Sequence, residues 1–62
     1  MIYIVLSNDG KKVEHVTPVW EEARLRARSL APLLGVIIVI SRRETEGGII
    51  CRVDHFVPDN LL

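Results

Sequence analysis

The sequence predicts an α+β domain of order ββαββ, a four-stranded, mainly antiparallel sheet with one amphipathic helix packed on one face. Three observations predict it. Two pairs of short β-branched runs are each joined by a turn signal, Asp9-Gly10 in the first and Gly47-Gly48 in the second. Between the pairs, residues 19–34 carry apolar side chains at helical spacing. A length of 62 residues makes one domain, 1–62, with 57–62 as a short C-terminal tail.

Ile2 to Leu6 reads as the first strand and Lys11 to Val16 as its return, because Asp-Gly tolerates the positive φ of a tight hairpin. A two-residue loop sets Leu6 opposite Val13 and Tyr3 opposite Val16. Thr17-Pro18 signals a helix start, with Thr as capping side chain and Pro at the first turn. At 100° per residue Val19, Trp20, Ala23, Ala27, Leu30, Ala31 and Leu34 share one side. Pro32 disfavours helical geometry at Ala31, which predicts an end near Leu30. Val36 to Ser41 and Ile49 to Phe56 form the second hairpin, joined through "RRETEGG". An even loop there sets Ile38 opposite Val53, Ile40 opposite Cys51, Val39 opposite Arg52 and Ile37 opposite Asp54.

Strands one and three are apolar on both faces, which places them centrally in the order 2-1-3-4; an order 2-1-4-3 fits almost as well. One helix covers one face. The expected core face holds Ile2, Ile4, Leu6, Val13, Val36, Ile38, Ile40, Ile49, Cys51 and Val53. The opposite face then presents Tyr3, Val5, Val16, Ile37, Val39 and Ile50, the candidate protein interface. Leu25, apolar within the charged side of the helix, joins it as a candidate anchor. A chain this short buries only about 60% of its unfolded surface, so help from a second subunit is expected. The alternative cover is the tail "FVPDNLL" folding back over the patch.

Composition excludes several function classes. Val, Ile and Leu supply 22 residues, far from the composition of disorder. The longest apolar stretch, Leu30 to Ile40, is 11 residues and contains Pro32 and Gly35, too short for a membrane span of about 20 residues. No secretory signal pattern is present, and the lone Cys51 fits a reducing compartment, so the cytoplasm is expected. Eight Lys and Arg balance eight Asp and Glu, which leaves no net field to attract nucleic acid or anionic lipid.

Cys51 and His55, four apart on a strand, lie about 13 Å from each other, too far for a nucleophile–base pair or a shared metal. His15 sits on another strand. No phosphate loop, paired carboxylates or hydrolase elbow appears, and no catalytic, metal or cofactor residue is assigned. The helix "EEARLRARSLA" after a hairpin is a pattern many small bacterial and phage proteins share, but no stretch resembles a known family at the level of a motif.

The expected function is a small non-enzymatic protein–protein interaction module, homodimeric through the helix-free sheet face and binding a further, unidentified protein. The alternative is a nucleic-acid-binding accessory protein that uses Arg42 and Arg43 at the hairpin tip with Arg52, Arg24 and Arg28. Glu44 and Glu46 beside the tip arginines weigh against phosphate, as do the Glu21–Arg24 and Glu22–Arg26 spacings that match charges along the helix.

Overall fold

The computed structural model describes residues 1–58, the side chain of Ile50 excepted. Its elements are β1 (Ile2–Ser7), β2 (Lys12–Thr17), α1 (Trp20–Leu34), β3 (Ile37–Thr45) and β4 (Gly48–Phe56). The strands lie in the order β2-β1-β3-β4, and every pairing is antiparallel. The two strands that are apolar on both faces are indeed the central ones.

The first hairpin closes through Asn8, Asp9 and Gly10, all at positive φ (54°, 57° and 82°). Gly10 N donates to Ser7 O and Lys11 N to Asn8 O, both at 3.1 Å. Asn and Asp are the non-glycine residues that enter the left-handed region most readily, so the turn takes in Asn8 as well as the predicted Asp-Gly pair. Leu6 faces Val13 as predicted, but a β-bulge then shifts the register so that Tyr3 faces Thr17, not Val16. The extra residue is Glu14, held by a hydrogen bond from Ser7 Oγ to its Oε1 at 2.8 Å. The bulge changes parity, so Val13 and Val16, three apart, both land on the same face as Leu6 and Ile4.

Helix α1 begins later and ends later than the sequence suggests. Thr17 stands two residues before the N-cap Val19, where its Oγ1 accepts from Val19 N at 3.1 Å and donates to Glu22 Oε2 at 2.9 Å. Pro32 lies inside the last turn, and the helix continues to Leu34 before Gly35 N donates to Ala31 O. A proline so near the C-terminus removes one backbone donor without stopping the turn. Gly35, at φ 87° and ψ −154°, occupies a region open to glycine almost alone.

The second hairpin is longer than predicted. "RRETEGG" is no open loop, since β3 and β4 run nine residues each and turn at Glu46-Gly47 between the pair Thr45 and Gly48. The pairing slides by two residues, so Ile38 faces His55, Ile40 faces Val53, Arg42 faces Cys51, Val39 faces Asp54 and Ile37 faces Phe56. Each expected partner is displaced, yet every residue keeps its predicted companions on a face, because a two-residue slip preserves the period of the strand. Residues 43–50 extend past the last β1–β3 pair, Ile2 with Arg42, as a two-stranded arm.

The core lies between α1 and the face opposite to the one expected. Val5, Ile37 and Val39 are completely buried against Ala23, Ala27 and Ala31, with Tyr3, Leu30 and Phe56 packed at the margin. Trp20 closes the end of this layer, its ring 5.5 Å from that of Tyr3 and 6.4 Å from that of Phe56. These are the only three aromatic residues of the chain, and they meet on one side of the sheet. The alanine stripe brings helix and sheet close enough to seal three β-branched side chains from water. Val19 and Leu34, expected in the core, are about half exposed instead.

Candidate interaction surface

Strand alternation now assigns the helix-free face. One register row crosses all four strands as Val16, Ile4, Ile40 and Val53, and the next holds Val13, Leu6, Ile38 and His55. Ile2, Arg42 and Cys51 form a third row toward the arm. The middle row is aliphatic from one edge of the sheet to the other. Val16 remains 55% exposed, Val53 51% and Val13 58%, whereas central Leu6 is buried by its neighbours. Four strands at about 4.8 Å spacing, over five residues of β1, give an apolar footprint of roughly 300–400 Å². That lies within the range of the largest patch on a typical monomer, a patch that is often functional.

Among the candidate interface residues, only Val16 lies on this face. Val5, Ile37 and Val39 are fully buried beneath the helix and offer no contact surface, and Tyr3 is half-buried against Trp20 on the helix side. The physical reason is that both faces of β1 and β3 are aliphatic, which left alternation unable to say which one the helix takes. Ile50 pairs with Arg43 through its backbone, and its side chain is outside the described residues. Leu25 is 52% exposed on the outer side of α1, as expected, beside Glu22, Arg26 and Ser29. Conversely Ile2, Ile4, Val13, Ile38, Ile40 and Val53, expected in the core, belong to the open face. Cys51 is exposed there too, and Ile49 is 53% exposed on the arm. The signal that identifies the covered face is aromatic: Tyr3 and Phe56 share it, and Trp20 on the helix needs partners.

The tail divides between the two accounts of what covers the sheet. Phe56 turns to the helix side and meets Trp20, Val57 is exposed, and Pro58 is buried. Leu61 and Leu62, which the tail-coverage alternative requires, are outside the described residues.

The arginines do not make one basic stripe. Arg42 lies on the helix-free face, while Arg43 and Arg52 line a cleft of about 480 Å³ on the helix side with Met1, Tyr3, Trp20, Ser41 and Asp54. Arg52 Nη2 approaches Asp54 Oδ1 at 3.5 Å. Arg24 grips Glu21 through both Nε and Nη2, which holds the Glu21 carboxyl below its usual range and raises Arg24. Arg28 is exposed on the helix. Glu22 is the most connected acid. It accepts from the Thr17 hydroxyl and from His15 Nε2 at 2.9 Å each, and these bonds lower its carboxyl in that order. They tie the start of α1 to β2.

His15, turned to the helix, and His55, on the open face, lie on opposite sides of the sheet and do not converge. Among the described residues no group of three His, Cys, Asp or Glu is placed to hold a metal ion. Among the same residues no helix is long and apolar enough to cross a membrane. Compared with family models, curated proteins and solved structures, the chain has no significant match.

Proposed function

We propose that this chain is a small non-enzymatic interaction module that self-associates through the helix-free face of its sheet. The observation that carries the proposal is the unbroken aliphatic row Val16, Ile4, Ile40 and Val53 on the face that α1 leaves open. A second copy is the favoured occupant because the face is uncharged at its centre and the chain has no net charge to oppose stacking. Its unpaired Cys51 suits work in the cytoplasm. Two such footprints bury roughly 600–800 Å² in total, which falls in the class of weak or transient contacts. Self-association is therefore concentration-dependent. Light scattering across a concentration series tests this: Val16→Glu, on an exposed site of β2, is expected to abolish face-to-face stacking, and so to lower the mass of the largest species, without unfolding the chain. A monomer at high micromolar concentration, unchanged by that substitution, overturns it.

A second reading rests on the cleft, where Arg43 and Arg52 share space with the rings of Tyr3 and Trp20. Guanidinium groups beside stacking planes suit single-stranded nucleic acid. A mobility shift at low salt that fades as salt rises, and is lost in Arg43→Ala, is its expected mark; no shift at about 50 mM salt removes it.

A further inference from the structure

The sheet has two outer edges, and they are unequally defended. Edge β2 is six residues long, broken by the bulge at Glu14, carries exposed Lys12 and is followed at once by Pro18. Those are the devices by which proteins discourage strand addition. Edge β4 is neither short nor bulged, and its only such devices are the charged pair Arg52 and Asp54, with Pro58 two residues past its end. It runs nine residues in continuous register with β3, contains neither Pro nor Lys, and has no partner on its outer side among the described residues. Helix α1 lies over β1, β2 and β3 and touches β4 least, so it does not shield that edge.

The sequence of β4 also specifies what pairs with it. Two copies of one strand, joined antiparallel about a two-fold axis normal to the sheet, must place residues of the same parity opposite each other. Centring the axis on Arg52 sets Arg52 against Arg52, and centring it on Asp54 sets Asp54 against Asp54. Centring it on Val53 sets each Arg52 against Asp54 of the second copy. Like charges directly opposite destabilise a pair and opposite charges stabilise it, so charge selects the Val53 register over both neighbours.

We infer that β4 pairs edge to edge with β4 of a second copy of this chain, antiparallel and centred on Val53, to form a continuous eight-stranded sheet. Residues 50–56 of each strand overlap and supply about six to eight main-chain hydrogen bonds. Both helices lie on one side of the joined sheet. On the other side the aliphatic row continues through the axis, from Val16 to Val53 of one copy and from Val53 to Val16 of the next.

This pairing accounts for the small footprint of the open face. Joining two sheets doubles the face to roughly 600–800 Å², and stacking two joined sheets buries about 1,200–1,600 Å², the range of stable interfaces. That stacking step rests on the function proposed above. The edge contact does not.

Disulfide trapping tests the edge contact directly. In the Val53 register, directly opposed residues have Cα atoms about 4.5–5.5 Å apart, within reach of a disulfide, whereas the two Cys51 are offset by about 13 Å along the strands. Val53→Cys in a Cys51→Ser background is expected to give a disulfide-linked dimer under mild oxidation at least about tenfold faster than the wild-type chain. Equal or slower linking than through Cys51 overturns the register. Arg52→Asp is expected to weaken association roughly tenfold or more through like-charge juxtaposition, and Arg52→Asp with Asp54→Arg to restore it. Circular dichroism confirms that each variant is folded. A charge swap that fails to restore association in folded protein overturns the pairing. Val16→Glu separates the two interfaces: trapping through Val53→Cys persists when stacking is lost, and loss of both signals in folded Val16→Glu overturns the edge contact as an independent one.

Discussion

The two faces of the sheet carry the same kind of side chain and meet opposite fates. Beneath α1, Val5, Ile37 and Val39 lose all exposure; across the sheet, Val16 and Val53 keep about half of theirs. Hydropathy does not separate them. What does is the helix, whose three alanines let its backbone settle onto one face while nothing among the described residues covers the centre of the other. The comparison teaches that in so small a domain the apolar residues exceed what one helix can cover, and the excess stays on the open face.

The sharpest way to break this comparison is to remove equal volumes from both faces. Ile37→Ala leaves a cavity under the helix and is expected to cost about 2–5 kcal/mol, enough to unfold much of a chain of this size. Ile40→Ala, on the half-buried open face, is expected to cost about half as much or less. Urea unfolding followed by circular dichroism measures both, at a concentration low enough to keep the chain monomeric. Equal losses mean the two faces are equally covered in solution.

Overfilling the covered face is the next largest effect. Ala27→Leu forces the helix off Val5 and Val39 and is expected to cost about 1–3 kcal/mol, whereas Leu25→Ala on the outer side of the same helix stays within about 0.5 kcal/mol. A shift in the urea midpoint for the first and none for the second sharpens the assignment of the helix's two sides.

Acid tests the tie that holds the helix over its face. The carboxyls of Glu21 and Glu22 are lowered in the folded chain, so each contributes stability that is fully present above the ordinary carboxylate range and is lost as pH falls through the folded-state value. The melting temperature is therefore expected to fall as pH drops below that ordinary range. Glu22→Gln should flatten this acid limb by removing the group that Thr17 and His15 bind. Both acids are exposed, so the effect is smaller than either core substitution. Smallest of all, Val16→Glu is expected to leave monomer stability within about 0.5 kcal/mol, since it sits on an exposed edge position. A large loss instead means that something within the chain covers the open face.

Much of the fold is legible in the sequence. The Asp9-Gly10 and Gly47-Gly48 signals locate both hairpins, and the spacing of Ala23, Ala27 and Ala31 marks the buried stripe of the helix. Less legible is the bulge at Glu14. It depends on a hydrogen bond from Ser7 across the hairpin, and it moves Val16 to the row that Ile4 begins. The slip of the second hairpin escaped for a similar reason. Thr45 and Glu46 have no strong turn preference, so the turn position was decided by where Gly48, at φ 130°, fits. Tyr3, Val5, Ile37 and Val39 change sides together because residues of one parity move together, whereas the bulge separates Val16 from them.

By itself the sequence determined the order of the elements and which residues of the second hairpin share a face, and it left the strand orders 2-1-3-4 and 2-1-4-3 both open. What it determined follows from period and turn chemistry, both local properties. Only the tertiary structure decided which face the helix takes, because burial gains nearly the same free energy on either one. The choice came from contacts between distant residues. Tyr3 and Phe56 give Trp20 its partners, and Thr17 and His15 hold Glu22 in place. The face left over, with β4 along its edge, is where this protein meets other molecules in the function proposed for it.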